Sequence, residues 1–333
     1  MRTLYIHAGH GKTGSSFIQS MLAASVRNLA IYKILYRVPG GGQGVARGAI
    51  SSGNGHLLME ALDGTVDLIF RYRPNVDLLF SREQSMREFG EPGRIKAFRK
   101  LIDAGRFDRV EILLFIRNPI SHAASHYQQS VKRGGRKNSV EAFFRKYKQP
   151  CYVQDFLEAF EQVRDTRVTV RNYSSGKGEL REIIAAWLGV PAALFSIPGK
   201  MNINRSLSRS ETELQRAFNT VLGKGANFLS TRLCESVPDI EGEHIFPSQE
   251  AQRELWDRLE GPINWVNARV EPQHRYVFDC QPADSPPSLQ FLFSKSQIDA
   301  IASAVADEML KMQAEMAALR TDPFSLWADK QDR

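Results

Sequence analysis

The chain is poor in cysteine, with three in 333 residues. Cys151, Cys234 and Cys280 stand far apart. An odd, scattered set builds neither a disulfide framework nor a zinc site, and each reads as a small buried hydrophobe. No run of about eighteen or more apolar residues occurs, so no transmembrane helix is expected. No basic segment followed by an apolar one opens the chain, and a cytoplasmic protein is the expectation. Basic residues are not interleaved with aromatics and no nucleic-acid-reading motif is present, so nucleic acid is not an expected partner. Internal repeats are absent too.

The remaining composition is that of a globular chain. Hydrophobic residues make up 42% and charged residues 24%, enough for a substantial core. The formal net charge of +7 and pI near 9.3 suit an anionic ligand such as a nucleotide or an acidic sugar. The length admits one large α/β domain with insertions, or two domains.

The stretch Leu4–Gln19 organises the rest. Leu4, Tyr5 and Ile6 read as a buried strand, and Phe17, Ile18, Met21 and Leu22 recur at helical spacing. Between them lie His10, Gly11, Lys12, Thr13, Gly14, Ser15 and Ser16. Strand, glycine loop and helix together aim backbone N–H groups and a positive helix end at a phosphate. Lys12 adds a point charge, and Ser15 and Ser16 add hydroxyl donors. The loop is shorter than an ATP-binding Walker A loop, whose first glycine would fall at Ile6 inside the strand. The competing account is a tight turn whose serines cap the helix.

Further along, strands are expected over Ile31–Tyr36, Val76–Ser81, Arg109–Ile116 and Arg167–Tyr173. Helices are expected over His56–Leu62, Pro92–Ala104, from Pro119 onward, Val140–Tyr147, Tyr152–Gln162, Glu179–Leu188 and Ser210–Leu222. A glycine-rich segment, Pro39–Gly44 and Ser51–Gly55, reads as a loop over a site. The alternation predicts an α/β, P-loop-like three-layer fold around a mostly parallel sheet. Lys12, Glu83 and Arg117 all fall just past strand carboxyl ends, where such sheets bind ligands. Residues 225–290 read as turns and short segments around Pro238, Pro247, Pro262, Pro272 and Pro286–Pro287. A last helix from Ser296 carries the stripe Ile298, Ile301, Val305, Met309, Met312, Met316 and Leu319, read as core or partner packing, which leaves a homodimer open. The expectation is a single domain, with a core over about residues 1–222 and a helical or irregular extension over about 223–333.

The second motif is Arg117-Asn118-Pro119 with Ser125 and Tyr127 on the following helix. Arginine and serine together can hold a terminal phosphate. The glycine loop followed by R-N-P-x5-S-x-Y resembles the sulfotransferase family, in its bacterial carbohydrate-type branch. Asn172-Tyr173, the helix ending Trp187-Leu188-Gly189, and Asn204-Arg205-Ser206-Leu207 are similar to further family stretches. Ser174 stands where glutamate is usual in the family. The resemblance covers roughly residues 3–222.

The resemblance implies an enzyme that moves a sulfuryl group from 3′-phosphoadenosine-5′-phosphosulfate to a hydroxyl or amine of a carbohydrate, glycolipid or small molecule, without a metal. Lys12 would neutralise charge on the bridging oxygen. Residues Thr13 to Ser16 would hold the 5′-phosphate, Arg117 and Ser125 the 3′-phosphate, and Tyr173 would stack on adenine. His10 would be a donor in the loop. Glu83 is the first candidate for the general base and His56 the second. Two other function classes stay open: a phosphotransferase or nucleotide hydrolase using ATP and magnesium, and a non-catalytic nucleotide-binding protein of the same fold.

Overall fold

The computed structural model describes residues 1–38, 53–64, 75–83, 85–91, 93–197, 205–283 and 291–321, with side chains to residue 318 in the last segment. Pro39–Gly44, Ser51, Ser52, Pro92, Asn204, Pro286, Pro287 and the side chain of Leu319 lie outside this set, and so do the readings placed on them.

Two compact units divide the chain. The first comprises Met1–His126, Phe143–Asn202 and Pro247–Pro282, and the second Tyr127–Ala142, Ile203–Phe246 and Ala283–Arg333. The first unit carries five parallel strands in the order β2-β3-β1-β4-β5. They are β1 (Thr3–Gly9), β2 (Ile34–Leu35), β3 (Asp77–Arg82), β4 (Arg109–Ile116) and β5 (Thr166–Asn172). The fold is therefore α/β with an all-parallel sheet. Register pairs Tyr5 with Leu79 and with Glu111, and Ile112 with Val168.

Both faces of β1 and β4 are covered, which is why these strands read as unbroken apolar runs. On one face Tyr5, Leu79, Leu113 and Phe115 pack with Ile18, Met21 and Leu22 of the helix Ser15–Ala24, and with Leu180, Ile184 and Leu188 of the helix Leu180–Leu188. The other face carries Leu4, Ile6, Ile112, Leu114 and Ile116, all buried. Chain direction then fixes where a ligand can enter. The chain leaves β1 toward β2 and leaves β4, beside it, toward β5. Connections that diverge from neighbouring strands open a crevice at their carboxyl ends.

Three expectations are corrected. The strand expected over Ile31–Tyr36 is only Ile34–Leu35, because Ile31 closes the helix Val26–Ile31 and Lys33 turns the chain at φ 59. Residues 225–290 contain the α-helices Asn227–Ser236, Gln249–Arg258 and Glu260–Asn267. The prolines misled there. Pro238 and Pro247 lie between helices, and Pro262 sits in a first turn, where the missing N–H has no helical partner to lose. The terminal helix Lys295–Thr321 is core only near its start. Ala300 and Ala304 pack with Leu229, Leu233 and Val237, whereas Met309, Met312 and Met316 are exposed.

In the second unit a buried ion pair joins Arg205 and Glu211 through bonds of 2.6 and 2.7 Å. Gln297 donates to Glu211 at 2.9 Å, and Glu211 also closes a capping box with Ser208 at the start of the helix Arg209–Leu222. Burial alone would raise the Glu211 pKa. The bonds from Arg205, Gln297 and Ser208 outweigh that and hold it below the ordinary value.

Candidate functional site

The loop after β1 takes two left-handed conformations, Lys12 at φ 67 and Gly14 at φ 81. Lys12 lacks glycine's freedom, so the turn holds it against a local preference. Thr13 donates its hydroxyl proton to the His10 carbonyl at 2.8 Å, closing the loop. A Cβ on Gly14 would come within 2.7 Å of Leu180 Cδ1 and 3.0 Å of Tyr173 Cε2, so this residue must be glycine on two counts. Gly14 is also the N-cap of the helix Ser15–Ala24 and supplies no side-chain cap. The first-turn N–H groups are thus not consumed by a serine, against the capping account of the loop.

Histidine 122 anchors this loop from the second motif. It lies in the first turns of the helix Pro119–Gly134 and is 2% exposed. Its Nε2–H donates to the Gly11 carbonyl at 2.8 Å, so its Nδ1 must accept, and the Tyr147 hydroxyl stands 2.7 Å away to donate. This fixes a neutral tautomer. Burial agrees, pushing His122 well below the usual histidine range, and the neighbouring His10 and His126 add to the effect. His10 packs on His122 at 4.1 Å between ring centroids. Burial above all brings His10 to a pKa of about 3. It is neutral at physiological pH, with a buried Nε2 that has no hydrogen-bond partner among the described residues.

Arg117 follows β4 directly. Its guanidinium donates to the Lys12 carbonyl at 3.2 Å and lies 5.8 Å from the Tyr173 ring centroid. Among the described residues it forms no ion pair within bonding distance. Burial lowers its pKa, and the nearest opposing charges, including Asp279, act only from a distance. A half-buried, forked cation with no carboxylate bonded to it among the described residues carries an unmet demand for an anion. Ser125, also buried, lies one helical turn past His122 on the same face.

Glu83 follows β3, the other neighbour of β1. Its Oε2 lies 3.8 Å from where a Cβ on Gly11 would stand. Burial raises its pKa, while the charge of Lys12 and the Ser15 hydroxyl pull it back down. Arg82, just before it, is engaged by both carboxylate oxygens of Glu88. His56 begins the helix His56–Leu62, held to the end of β3 by Asn54. The Asn54 amide donates to the Leu79 carbonyl and accepts from the Ser81 N–H, both at 2.9 Å, so a side chain imitates a strand partner. His56 is half-buried, and among the described residues no hydrogen bond or ring contact links it to the Lys12 loop.

The structure thus brings Lys12, Glu83, Arg117, Tyr173 and His10 around one loop. Sequence reasoning missed the residues that hold the set in place. Asn172 donates to Asn118 Oδ1 and to the Arg275 carbonyl, both at 2.9 Å. Asn118 Oδ1 also accepts from the Val277 N–H at 3.2 Å. Ser174 Oγ accepts from the Asn118 N–H at 3.1 Å and so steadies the turn after Arg117. Ser121 donates to Asp279 on the same late segment. Polar residues at the carboxyl ends of neighbouring strands were the available signal for the asparagines. Nothing in sequence marked residues 271–281.

Comparison with protein-family models and with curated proteins finds no match to the chain. Among the described residues, no group of three or more His, Cys, Asp or Glu is placed to hold a metal ion. No described helix is long and apolar enough to cross a membrane.

Proposed function

We propose that the chain is a P-loop-like sulfotransferase that uses 3′-phosphoadenosine-5′-phosphosulfate and sulfates a hydroxyl or amine of a carbohydrate, glycolipid or small molecule. The observation that carries this reading is the approach of Arg117 to the Lys12 loop. Two elements from separate strand ends meet there, and among the described residues the arginine forms no ion pair. The fit of the donor is supported by the uncapped first turn after Gly14, by the Lys12 cation and by the hydroxyl-bearing loop.

The residues divide the work by place. Lys12 and the helix N-terminus stabilise negative charge growing on the bridging oxygen as the sulfur–oxygen bond to the 5′-phosphate breaks. Arg117 and Ser125 hold the far phosphate and so fix the line of attack, the main task in transfers of this kind. Glu83 takes the proton that the acceptor loses as its new bond to sulfur forms. Its half-buried carboxylate is a stronger base than an ordinary one. His10, held at about 3, is too weak a base for that step and serves as a neutral hydrogen-bonding partner. His56 remains the second candidate base by position alone.

Calorimetry with adenosine 3′,5′-bisphosphate, and separately with ATP and magnesium, tests the reading. Tight bisphosphate binding without magnesium is expected. Tighter, magnesium-dependent ATP binding would favour a phosphotransferase instead.

A further inference from the structure

A groove of about 580 Å³ lies in the first unit along the face of β4 and β5, walled by the helix Leu180–Leu188. Its volume is that of a small-ligand site. It is not the Lys12 crevice. None of its lining residues belongs to the Lys12 loop or to the Arg117 stretch, and its nearer end, at Leu113 and Arg171, stops short of Arg117 and Tyr173.

Its lining joins two chemistries. Alternation along β5 puts Arg167, Thr169 and Arg171 on one face. Ile183, Ala186 and Trp187 supply an apolar wall from the helix. The two carboxylates of the lining are ion-paired: Glu111 with Arg109, itself in the lining, at 3.1 Å, and Glu182 with Arg181 at 2.6 Å. Arg167 forms no ion pair among the described residues, and Arg171 reaches Glu271 only at 3.5 Å. Arg171 also donates to the Val170 carbonyl at 3.1 Å, and among the described residues the Trp187 indole N–H has no acceptor. Two arginine forks without a close carboxylate partner ask for an oxyanion. The apolar wall, with Tyr5 set edge-on to Trp187 at 5.3 Å, asks for a flat ring.

We propose that this groove is a second binding site, independent of the Lys12 crevice, for a small ligand joining an aromatic ring to an oxyanion. The test is a fluorescence titration of the full chain with 8-anilinonaphthalene-1-sulfonate, an aromatic sulfonate whose emission rises in apolar surroundings. Saturable binding is expected, unchanged by adenosine 3′,5′-bisphosphate and unchanged in Lys12→Ala. The double variant Arg167→Ala/Arg171→Ala should bind about tenfold or more weakly, the loss of charge-assisted bonds. Trp187→Phe should weaken binding by a smaller factor. If the double alanine variant melts early, Arg167→Lys/Arg171→Lys replaces it, and a partial loss is expected because charge survives without the donor fork. No saturable binding, displacement by the bisphosphate, or equal binding by wild type and the arginine variants would each overturn the proposal.

Discussion

Replacing Arg117 with alanine separates a ligand-binding arginine from a structural one. In the folded protein this side chain gives one hydrogen bond of 3.2 Å to a carbonyl and one distant ring contact. A single such bond is worth about 1 kcal/mol. Against it stands the cost of holding a guanidinium partly out of water with no carboxylate bonded to it among the described residues, which the downward shift of its pKa reflects. The two nearly cancel. The melting temperature of the ligand-free protein should therefore move by no more than about 2–4 °C. Binding is different. Removing one side of a desolvated charge-assisted contact costs about 2–4 kcal/mol, or about 30- to 1,000-fold in Kd. Calorimetry with adenosine 3′,5′-bisphosphate and a melting curve on the same samples measure both. A collapse in melting temperature with unchanged affinity would refute the reasoning and make Arg117 a brace for the loop.

Glu83→Gln should leave bisphosphate affinity intact and lower turnover roughly 10²–10⁴-fold, the range for a general base; His56→Ala should be milder, and the reverse order would move the base to His56. In the wild type the rate should fall as pH drops through a pKa above that of an ordinary carboxylate, because Glu83 must be ionised to take the proton and burial raises its pKa; a pH–rate profile with its acid limb at ordinary carboxylate values would contradict this. Tyr147→Phe removes the proton that His122 Nδ1 accepts, at about 1–3 kcal/mol, and it should loosen the Gly11 loop, read as weaker bisphosphate binding together with a lower melting temperature. Glu211→Gln should destabilise the fold by about 3–5 kcal/mol, since it leaves Arg205 buried and uncompensated. In the wild type the Glu211 contribution is fully present above its unfolded pKa near ~4.3 and is lost as pH falls through its lower folded value, so acid unfolding of the variant should lack that part of the pH dependence.

Sequence alone made the strand-loop-helix unit and the long strand β4 legible, because buried parallel strands are continuous apolar runs and the glycine loop is one contiguous string. Arg117 and Glu83 were legible for the same reason, each directly following such a run. The supporting shell was not. His122 reads as an ordinary helical residue until its ring is seen between the Gly11 carbonyl and the Tyr147 hydroxyl. Asn54 acts from a stretch with no strand signal, because its amide stands in for backbone. Prolines hid the later helices by falling at their edges. The methionine stripe of the last helix kept its spacing where burial did not follow, since periodicity records a face and not what covers it.

The pairing of Asn118 with Asn172 and with the backbone of Arg275 and Val277 has a temporal meaning. The Lys12 loop and the Arg117–Ser125 stretch both leave the ribosome early, within the first 125 residues. The segment that fastens the turn after Arg117 arrives some 150 residues later, near position 277. At ordinary synthesis rates of ~5–20 residues per second that is a wait of roughly 8–30 s. Throughout that interval the nascent chain carries its anion-seeking arginine without its final clasp. A fragment cut after residue 222 would remain in that state permanently, with a sheet but a loosened crevice.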